Sequence, residues 1–235
     1  MTSAAMVDGL GSMGGMAGVI QPFLEGVVSG TAITLAASAG AFVIGLALGI
    51  VLLLMRISPF APLRSLVVLW VSLIRGTPAL IHMLIAYYMV PAMFDLSISP
   101  VTAGVAALAC NTSAYIVEIL RGALGTISHG QRAAGYAMGM RATQVWRHVL
   151  LPQVIYRSIP PLTSEFTILL KASSLMSIIA VPELATVARN ATLQTDLPLQ
   201  VFAITAAVYF VLLFCISAAS RVCERRVSRM LPHGH

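Results

Sequence analysis

Five stretches of apolar residues along the chain are long enough to cross a membrane. A membrane helix needs about 20 mostly apolar residues, because each residue rises about 1.5 Å through a hydrocarbon layer about 30 Å thick. Three stretches carry no charge: between Glu25 and Arg56, from Leu96 to Val117, and from Leu197 to Ser220. Two are interrupted by charges: residues 65–94 by Arg75, and residues 154–182 by Arg157, Glu165 and Lys171. The pattern predicts an all-α integral membrane protein with about five transmembrane helices.

Composition supports this class. Of 235 residues, 58% are hydrophobic and 9% are charged, whereas about a quarter of the residues in a soluble domain carry charge. The three cysteines (Cys110, Cys215 and Cys223) form no CxxC pair, so neither a disulfide framework nor a zinc site is predicted. His82 lies alone on an apolar segment, and no HExxH or GxSxG pattern occurs. We therefore expect no metal site and no catalysis by this chain.

The basic residues indicate orientation. The net charge of +6 comes from thirteen arginines and one lysine against eight acids. Cations near the ends of spans stay in the cytoplasm, and a chain with its N-terminus outside and its C-terminus inside places eleven of the fourteen cations there. Residues 1–18 are predicted to be a disordered outer tail, residues 19–222 the membrane domain, and residues 223–235 a basic inner tail. The charge therefore gives no indication of nucleic acid binding.

One long loop, residues 122–152, is predicted to lie on the inner side. From Gln131 to Val149 it alternates apolar residues with arginines, and Gly139 interrupts it. This pattern predicts two short amphipathic helices that meet at a bend. A helix lying on the lipid surface is the alternative interpretation.

Several short motifs in fixed order point to a known family. They are Arg75-Gly76-Thr77-Pro78, Ala114-Tyr115-Ile116-Val117-Glu118-Ile119, Leu151-Pro152-Gln153, Pro160-Pro161-Leu162, Ser173-Ser174-Leu175 and Val181-Pro182-Glu183-Leu184. With the five-span profile, the chain resembles the permease subunit of bacterial ABC importers, in the branch that takes up polar amino acids such as histidine, glutamine and glutamate. The resemblance implies a type I importer fold for nearly the whole chain.

The resemblance also assigns a role to the loop. In that family the loop is a coupling helix that inserts into a cleft of the cytoplasmic ATPase subunit. The family signature begins with Glu-Ala-Ala, and here that tripeptide falls on Ala133, Ala134 and Gly135, so the glutamate is missing. The resemblance places these ATPase-coupling residues in the loop: Gln131, Arg132, Ala133, Ala134, Gly135, Gly139 and Arg141. The missing glutamate suggests a heterodimer in which a second permease subunit carries the intact motif.

Energy must come from a partner. A phosphate-binding loop has the form GxxxxGK[ST], and the only lysine, Lys171, follows Leu170. The chain is therefore predicted to bind no cofactor, while an ATPase dimer uses ATP and magnesium. The resemblance implies a second permease subunit, identical or different, and a periplasmic amino acid-binding protein, all at the bacterial inner membrane and its lipid.

Polar residues inside the spans are candidates for the solute pathway, because charges there are expensive and usually functional. Asn111, Tyr115 and Glu118 share one face of the third span, which Arg121 and Gly122 continue. Structural bonding between helices is the alternative role for Asn111 and Glu118. Glu118 would accept a substrate amino group.

The two interrupted spans supply further candidates. Glu165 and Lys171 are too far around a helix to pair with each other. Lys171, with Ser173 and Ser174, either meets a substrate carboxylate or pairs with Glu118 or Glu165. Arg75 precedes a helix-breaking cluster that predicts a gate hinge, with substrate contact as the alternative.

The sequence therefore predicts the permease subunit of an ATP-driven importer for a polar amino acid. The degenerate signature and Pro160-Pro161-Leu162-Thr163-Ser164-Glu165 resemble those of acidic amino acid permeases, and this resemblance implies an acidic substrate. An ion-driven carrier and an intramembrane enzyme are the alternatives. A carrier would show internal repeats of spans, and an enzyme would show a nucleophile beside a base.

Overall fold

The computed structural model describes the backbone of residues 2–195 and 197–228 and the side chains of residues 23–195 and 197–222. Within these ranges the chain is helical and contains no β-strand. The α-helices are α1 (Thr2–Arg56), α2 (Ala61–Gly76), α3 (Ala79–Leu84), α4 (Val90–Phe94), α5 (Pro100–Gly125), α6 (His129–Ala137), α7 (Ala142–Gln144), α8 (Leu151–Ala172), α9 (Leu184–Gln194) and α10 (Pro198–Ser228). Two π-helical segments, Ile85–Met89 and Val145–Leu150, and a 3-10 helix, Ser173–Ile179, join some of them. The predicted tails, residues 1–18 and 223–235, lie outside the described side chains and stay predictions.

The described residues contain five spans if one broken helix pair counts as a span. Four continuous helical stretches are long and apolar enough to cross a membrane: Phe23–Arg56, Pro100–Gly125, Ala142–Ile179 and Pro198–Val222. The pair Ala61–Gly76 and Ala79–Phe94 is bent by 104°. Both the predicted number of spans and the predicted break at Gly76-Thr77-Pro78 are confirmed.

The third span is not identical with its uncharged stretch, residues 96–117. The Ser99 hydroxyl accepts a hydrogen bond from the backbone N–H of Thr102, which caps the helix at Pro100. From there α5 continues past Val117 to Gly125, so it includes Glu118, Arg121 and Gly122, which the sequence analysis placed on this span. Hydropathy does not register a cap, whereas a side-chain oxygen at that position satisfies a free N–H of the first turn.

Small residues bring α1 and α5 into close parallel contact. A Cβ atom on Gly45 would lie 3.0 Å from the carbonyl oxygen of Ala109, and one on Gly49 would lie 2.5 Å from Cγ2 of Ile116. Ala41, one turn earlier, is completely buried. These residues form the small face that their spacing by four predicts, and close backbone approach is what such faces permit.

Two apolar clusters define the ends of the bundle. Where α1 and α5 finish, Leu53, Leu120, Val145 and Leu150 pack together; we call this the basic end, because Arg56 and Arg121 also lie there. At the opposite end, Phe23, Val27, Leu184, Ala188 and Val201 pack together. A third cluster, around Met83, Leu108 and Met176, fills the middle.

Helix α9 was not predicted. Its backbone approaches α1 so closely that a Cβ on Gly30 would lie 3.0 Å from Cα of Leu184. The helix is too short and too polar to qualify as a span, so hydropathy assigned its residues to a loop. Its apolar residues Leu184 and Ala188 are nevertheless completely buried.

The loop at the basic end folds as one short helix, α6, and the start of a long one, because the helical stretch that begins at Ala142 continues to Ile179. The predicted bend is present, but the second helix is not the separate short helix that was predicted. Helix α6 ends at Ala137, and α7 begins at Ala142. Between them Gly139 has a φ of 78°, a backbone conformation that glycine adopts at little cost. This bend confirms the interruption expected at Gly139.

Candidate functional site

Three polar side chains follow one face of α5 through the middle of the bundle. Asn111, Tyr115 and Glu118 are each half-buried, and residues 112–114, 116 and 117 between them are buried. The shared face that their spacing predicts is therefore present. Each of the three contacts a different residue, and two of those partners come from the broken span.

Arg75, at the end of α2, reaches Tyr115. Its guanidinium carbon lies 5.3 Å from the centroid of the tyrosine ring, within the range in which a cation is attracted to the face of an aromatic ring. The backbone turns sharply after Gly76, so Arg75 ends its helix beside α5. The arginine is otherwise exposed on this single chain.

Glu165 brings α8 to the same place. Its side chain is buried, with 6% of the residue exposed. The carboxylate lies beside the Thr112 side chain of α5 and within the electrostatic influence of Arg75. A buried carboxylate needs such partners, because removing it from water without them is costly. Arg75, Tyr115 and Glu165 therefore meet where α2, α5 and α8 converge.

His82 also belongs to this region, although the sequence analysis left it alone on an apolar segment. The side-chain amide nitrogen of Asn111 lies 3.2 Å from Nδ1 of His82, and Nε2 lies 2.5 Å from the hydroxyl oxygen of Thr77. The Thr77 hydroxyl donates in turn to the carbonyl of Leu73, 2.8 Å away. With the Asn111 amide as donor, His82 carries its proton on Nε2.

The hydrogen-bonded series Asn111–His82–Thr77–Leu73 spans the break between α2 and α3. The carbonyl of Leu73 is one of those left without a helical partner at the end of α2. A signal for this role was present in the sequence: a proline-containing break releases backbone carbonyls, and a polar side chain one turn beyond it is well placed to reach the groups that satisfy them.

The predicted group of Lys171, Ser173 and Ser174 does not join the other pathway candidates. Lys171 is exposed. Among the described residues, the ion pair that forms joins Arg121 to Glu118. Lys171 therefore pairs with neither Glu118 nor Glu165. The Ser173 and Ser174 hydroxyls donate to the carbonyls of Leu170 and Lys171, each at 2.8 Å. The intrachain ion pair considered for Lys171 is therefore not formed.

Glu118 pairs within its own helix. One carboxylate oxygen, Oε2, accepts from Nη2 of Arg121 at 2.6 Å and from Nε at 2.9 Å. The pair lies toward the basic end, where the stripe on α5 continues to Arg121 as predicted. Both side chains remain partly exposed, 22% for Glu118 and 52% for Arg121.

The loop residues divide into an outward and an inward set. Gln131, Ala133, Ala134, Gly139 and Arg141 are exposed. Gly135 instead packs inside the loop, where a Cβ atom would lie 2.9 Å from Cγ2 of Val145. Arg132 is half-buried, and its Nε atom has no hydrogen-bond partner within the described structure.

A second polar cluster, around Glu183, was missed by sequence reasoning. Glu183 is completely buried, and its carboxylate accepts from the N–H groups of Ala185 and Thr186 at 2.9 and 2.8 Å. The Tyr209 hydroxyl donates to it at 3.1 Å. The backbone N–H of Leu184 donates to the Thr34 hydroxyl at 3.1 Å. Glu183 therefore caps α9 and ties it to α10, while Thr34 holds it to α1.

Within the described residues, no group of three or more His, Cys, Asp or Glu side chains is placed to hold a metal ion. What the bundle offers is a set of polar groups that meet between apolar helices of membrane-spanning length. A fold and site of this kind define a membrane transport protein.

Comparison with known proteins identifies the family. Residues 41–229 match the family described as binding-protein-dependent transport system inner membrane component. The chain belongs to this family, whose members are permease components of ABC importers.

Individual relatives agree. The chain is 36% identical over 189 residues to the L-cystine transport system permease protein TcyB of Bacillus subtilis (strain 168), covering 80% of each chain. It is 31% identical over 206 residues to the arginine transport system permease protein ArtQ of the same organism, covering 88% of this chain and 94% of the relative. A crystal structure of an amino acid ABC transporter with histidines superposes with a TM-score of 0.84 at 33% identity, covering 88% of this chain and 96% of the other.

Proposed function

We propose that this chain is the permease subunit of an ATP-driven importer that moves a polar amino acid across the bacterial inner membrane. The observation that carries the proposal is the convergence of Arg75, Tyr115, Glu165, His82 and Asn111 from four helices in the middle of the bundle. These groups supply both signs of charge and neutral hydrogen-bonding groups to a polar solute inside an apolar bundle. The permease names of the relatives support the same function.

Two permease subunits enclose the pathway in this proposal. Arg75 is exposed on the single chain although it ends an apolar helix, so a second subunit is needed to shield it from lipid, where an isolated charge is costly. The second subunit is either a copy of this chain or a related permease.

The loop at the basic end serves as the contact with a cytoplasmic ATPase dimer, which uses ATP and magnesium. Its exposed residues, Gln131, Ala133, Ala134, Gly139 and Arg141, form that contact, together with the partly exposed Arg132. The family's glutamate is missing here, and the unpartnered Nε of Arg132 and the outward Arg141 supply other contacts to the ATPase. With this orientation the N-terminus lies outside and the C-terminus lies in the cytoplasm, as the arginine distribution predicts. A periplasmic binding protein then delivers the amino acid from the opposite side.

The charge of the substrate follows from which pathway groups it meets. An acidic amino acid would meet Arg75, and a basic one would meet Glu118 and Glu165. The relatives are named for L-cystine and for arginine, so the acidic substrate suggested by the motifs remains a proposal of its own.

Uptake by the reconstituted complex tests the function. This chain is purified with its ATPase, second permease subunit and binding protein, and is placed in proteoliposomes loaded with ATP. We expect uptake of a radiolabelled amino acid that stops when the phosphate-loop lysine of the ATPase is replaced. Uptake by this chain alone, without any ATPase, would overturn the proposal. Competition of labelled L-glutamate by unlabelled L-aspartate, L-arginine, L-glutamine and L-cystine identifies the substrate class.

A matched pair of variants tests the pathway role of Arg75. Arg75→Gln removes its charge, and we expect uptake to fall at least about tenfold for an acidic substrate, since a hydrogen bond to a charged group contributes about 1.5–3 kcal/mol. Arg64→Gln removes a cation near the basic end and should leave uptake unchanged.

A further inference from the structure

A large cavity opens at the basic end of the bundle, between α5, α8 and the loop. Its volume is about 1010 Å³. Most of its polar lining comes from six side chains: Glu118, Gln131, His148, Gln153, Tyr156 and Arg157. The cavity continues the polar stripe of α5 from Glu118 to Thr126, toward the basic end.

Two groups of opposite charge line the cavity, the carboxylate of Glu118 and the guanidinium of Arg157. Each forms hydrogen bonds through some of its polar atoms and has others without a partner in the described structure. Oε2 of Glu118 accepts both bonds from Arg121, and within the described structure Oε1 accepts none. Nη1 of Arg157 donates to the carbonyl and the hydroxyl oxygens of Thr126, both at 2.8 Å. Nε and Nη2 of Arg157 form no bond with the described part of the chain. A free carboxylate oxygen and a free edge of a guanidinium group therefore line one cavity.

Anchoring of this kind lowers the cost of binding. A long charged side chain loses rotamer freedom when it binds a ligand, and Arg121 and Thr126 already restrict Glu118 and Arg157 before any ligand arrives. Gln153 is held too, because its amide nitrogen donates to the side-chain oxygen of Gln131 at 3.2 Å and to the carbonyl of Val149 at 2.8 Å. The hydrogen bond from Gln153 to Gln131 connects α8 to the loop, and both residues line the cavity.

We propose that this cavity binds a free α-amino acid through its backbone groups, with the ammonium on Glu118 and the carboxylate on Arg157. The guanidinium edge offers parallel N–H donors to a carboxylate, and the carboxylate oxygen accepts from an ammonium. The site recognises the groups that all amino acids share and leaves the side chain in the wide remainder of the cavity. This proposal rests on the proposed function in one respect: the ligand is the transported amino acid, bound near the cytoplasmic end of its path.

Equilibrium binding to the assembled complex, without the periplasmic binding protein, tests the site. The probes are radiolabelled L-glutamate, L-glutamine, L-arginine and L-cystine. We expect at least one to bind, and Glu118→Gln and Arg157→Gln each to weaken that binding at least about tenfold. Arg64→Gln, which also lacks one cation but does not line the cavity, should bind as the unaltered complex does.

Modified ligands keep the test independent of whether Arg157→Gln folds. The unaltered complex should bind the N-acetyl and the methyl ester derivatives of the same amino acid at least about tenfold more weakly, since each derivative removes one charged group. In Glu118→Gln the N-acetyl derivative should lose little further affinity. In Arg157→Gln the methyl ester should behave likewise.

Two outcomes overturn the site. Binding that neither variant weakens places the amino acid elsewhere, and absence of binding by all four probes shows that the cavity is closed or filled in the complex. The uptake assay separates this proposal from the proposed function. Uptake without binding to the cavity would contradict only the proposed site. Binding to the cavity without ATP-dependent uptake would contradict only the proposed function.

Discussion

The side-chain amide of Asn111 lies 3.2 Å from Nδ1 of His82 and joins the middle of α5 to the second half of the broken span. Through Thr77 the same ring reaches the carbonyl of Leu73 on the first half. A single histidine thus connects both halves of a helix pair bent by 104° with the polar face of α5.

We expect Asn111→Leu to destabilise the complex, because it leaves Nδ1 of His82 without its partner in a half-buried position. An unsatisfied polar group of this kind costs about 1–3 kcal/mol of unfolding free energy. Replacing both residues by leucine should cost less than the sum of the single changes, since no polar atom is then stranded. Thermal unfolding of the solubilised complex measures this double-mutant cycle. Asn190→Ala, at an exposed position, is the control and should leave the melting temperature unchanged. Strict additivity of the two leucine changes would contradict the connection.

The contact between α1 and α5 predicts opposite results for two glycines of one helix. Gly49→Ala places a Cβ 2.5 Å from Cγ2 of Ile116, and overpacking of this kind costs about 1–3 kcal/mol. Gly40→Ala meets nothing within 4 Å and should not destabilise, because alanine favours a helix by about 1 kcal/mol over glycine. Melting temperatures of the two variants test this, and Ile116→Ala should partly rescue Gly49→Ala. Equal melting temperatures for the two glycine variants would contradict the packing.

The buried carboxylate of Glu183 predicts a local loosening of α9. Glu183→Gln replaces one carboxylate oxygen by an amide nitrogen, which donates and cannot accept. The N–H groups of Ala185 and Thr186 bond to different oxygens of Glu183, so one of the two loses its acceptor. Loss of a helix cap costs about 1 kcal/mol, and a stranded buried group adds to it. Amide hydrogen exchange over α9 should therefore accelerate.

Two further variants should change the rate of hydrogen exchange in α9 less than Glu183→Gln does. Tyr209→Phe removes one of the bonds to the carboxylate, so it should accelerate exchange less than Glu183→Gln. Glu25→Gln, at an exposed position of α1, should leave exchange in α9 unchanged. If Glu183→Gln exchanges no faster than Glu25→Gln, the carboxylate does not hold α9.

The bend at Gly139 predicts that coupling to the ATPase depends on the loop's shape. A side chain at a φ of 78° is strained, by about 1–2 kcal/mol for a residue other than glycine. We expect Gly139→Ala to reduce uptake, and Gly139→Asp, which adds charge, to abolish it while ATP hydrolysis continues. Gly130→Asp adds the same charge within α6 at an ordinary φ and should have a smaller effect. Undiminished uptake by both Gly139 variants would remove the coupling role from this loop.

Much of the architecture follows from local pattern. The length of the apolar stretches determines the spans, because the hydrocarbon layer sets the number of residues a helix needs. The spacing of Ala41, Gly45 and Gly49 places small residues on one face, and the spacing of Asn111, Tyr115 and Glu118 does the same for polar residues, because both depend only on the period of a helix. Gly139 was recognisable as a bend for the same local reason.

The partners of those faces were decided only by the tertiary structure. Arg75 meets Tyr115, and Asn111 meets His82, because α2 and α3 bend against α5 at an angle that hydropathy does not specify. Glu183 is buried and Lys171 is exposed, although each was one of a few charges among apolar residues. Contacts between helices depend on their rotation and depth, which the packing of small residues and buried hydrogen bonds sets across distant parts of the chain. The sequence by itself therefore determined which residues share a face, and the folded bundle decided which faces meet.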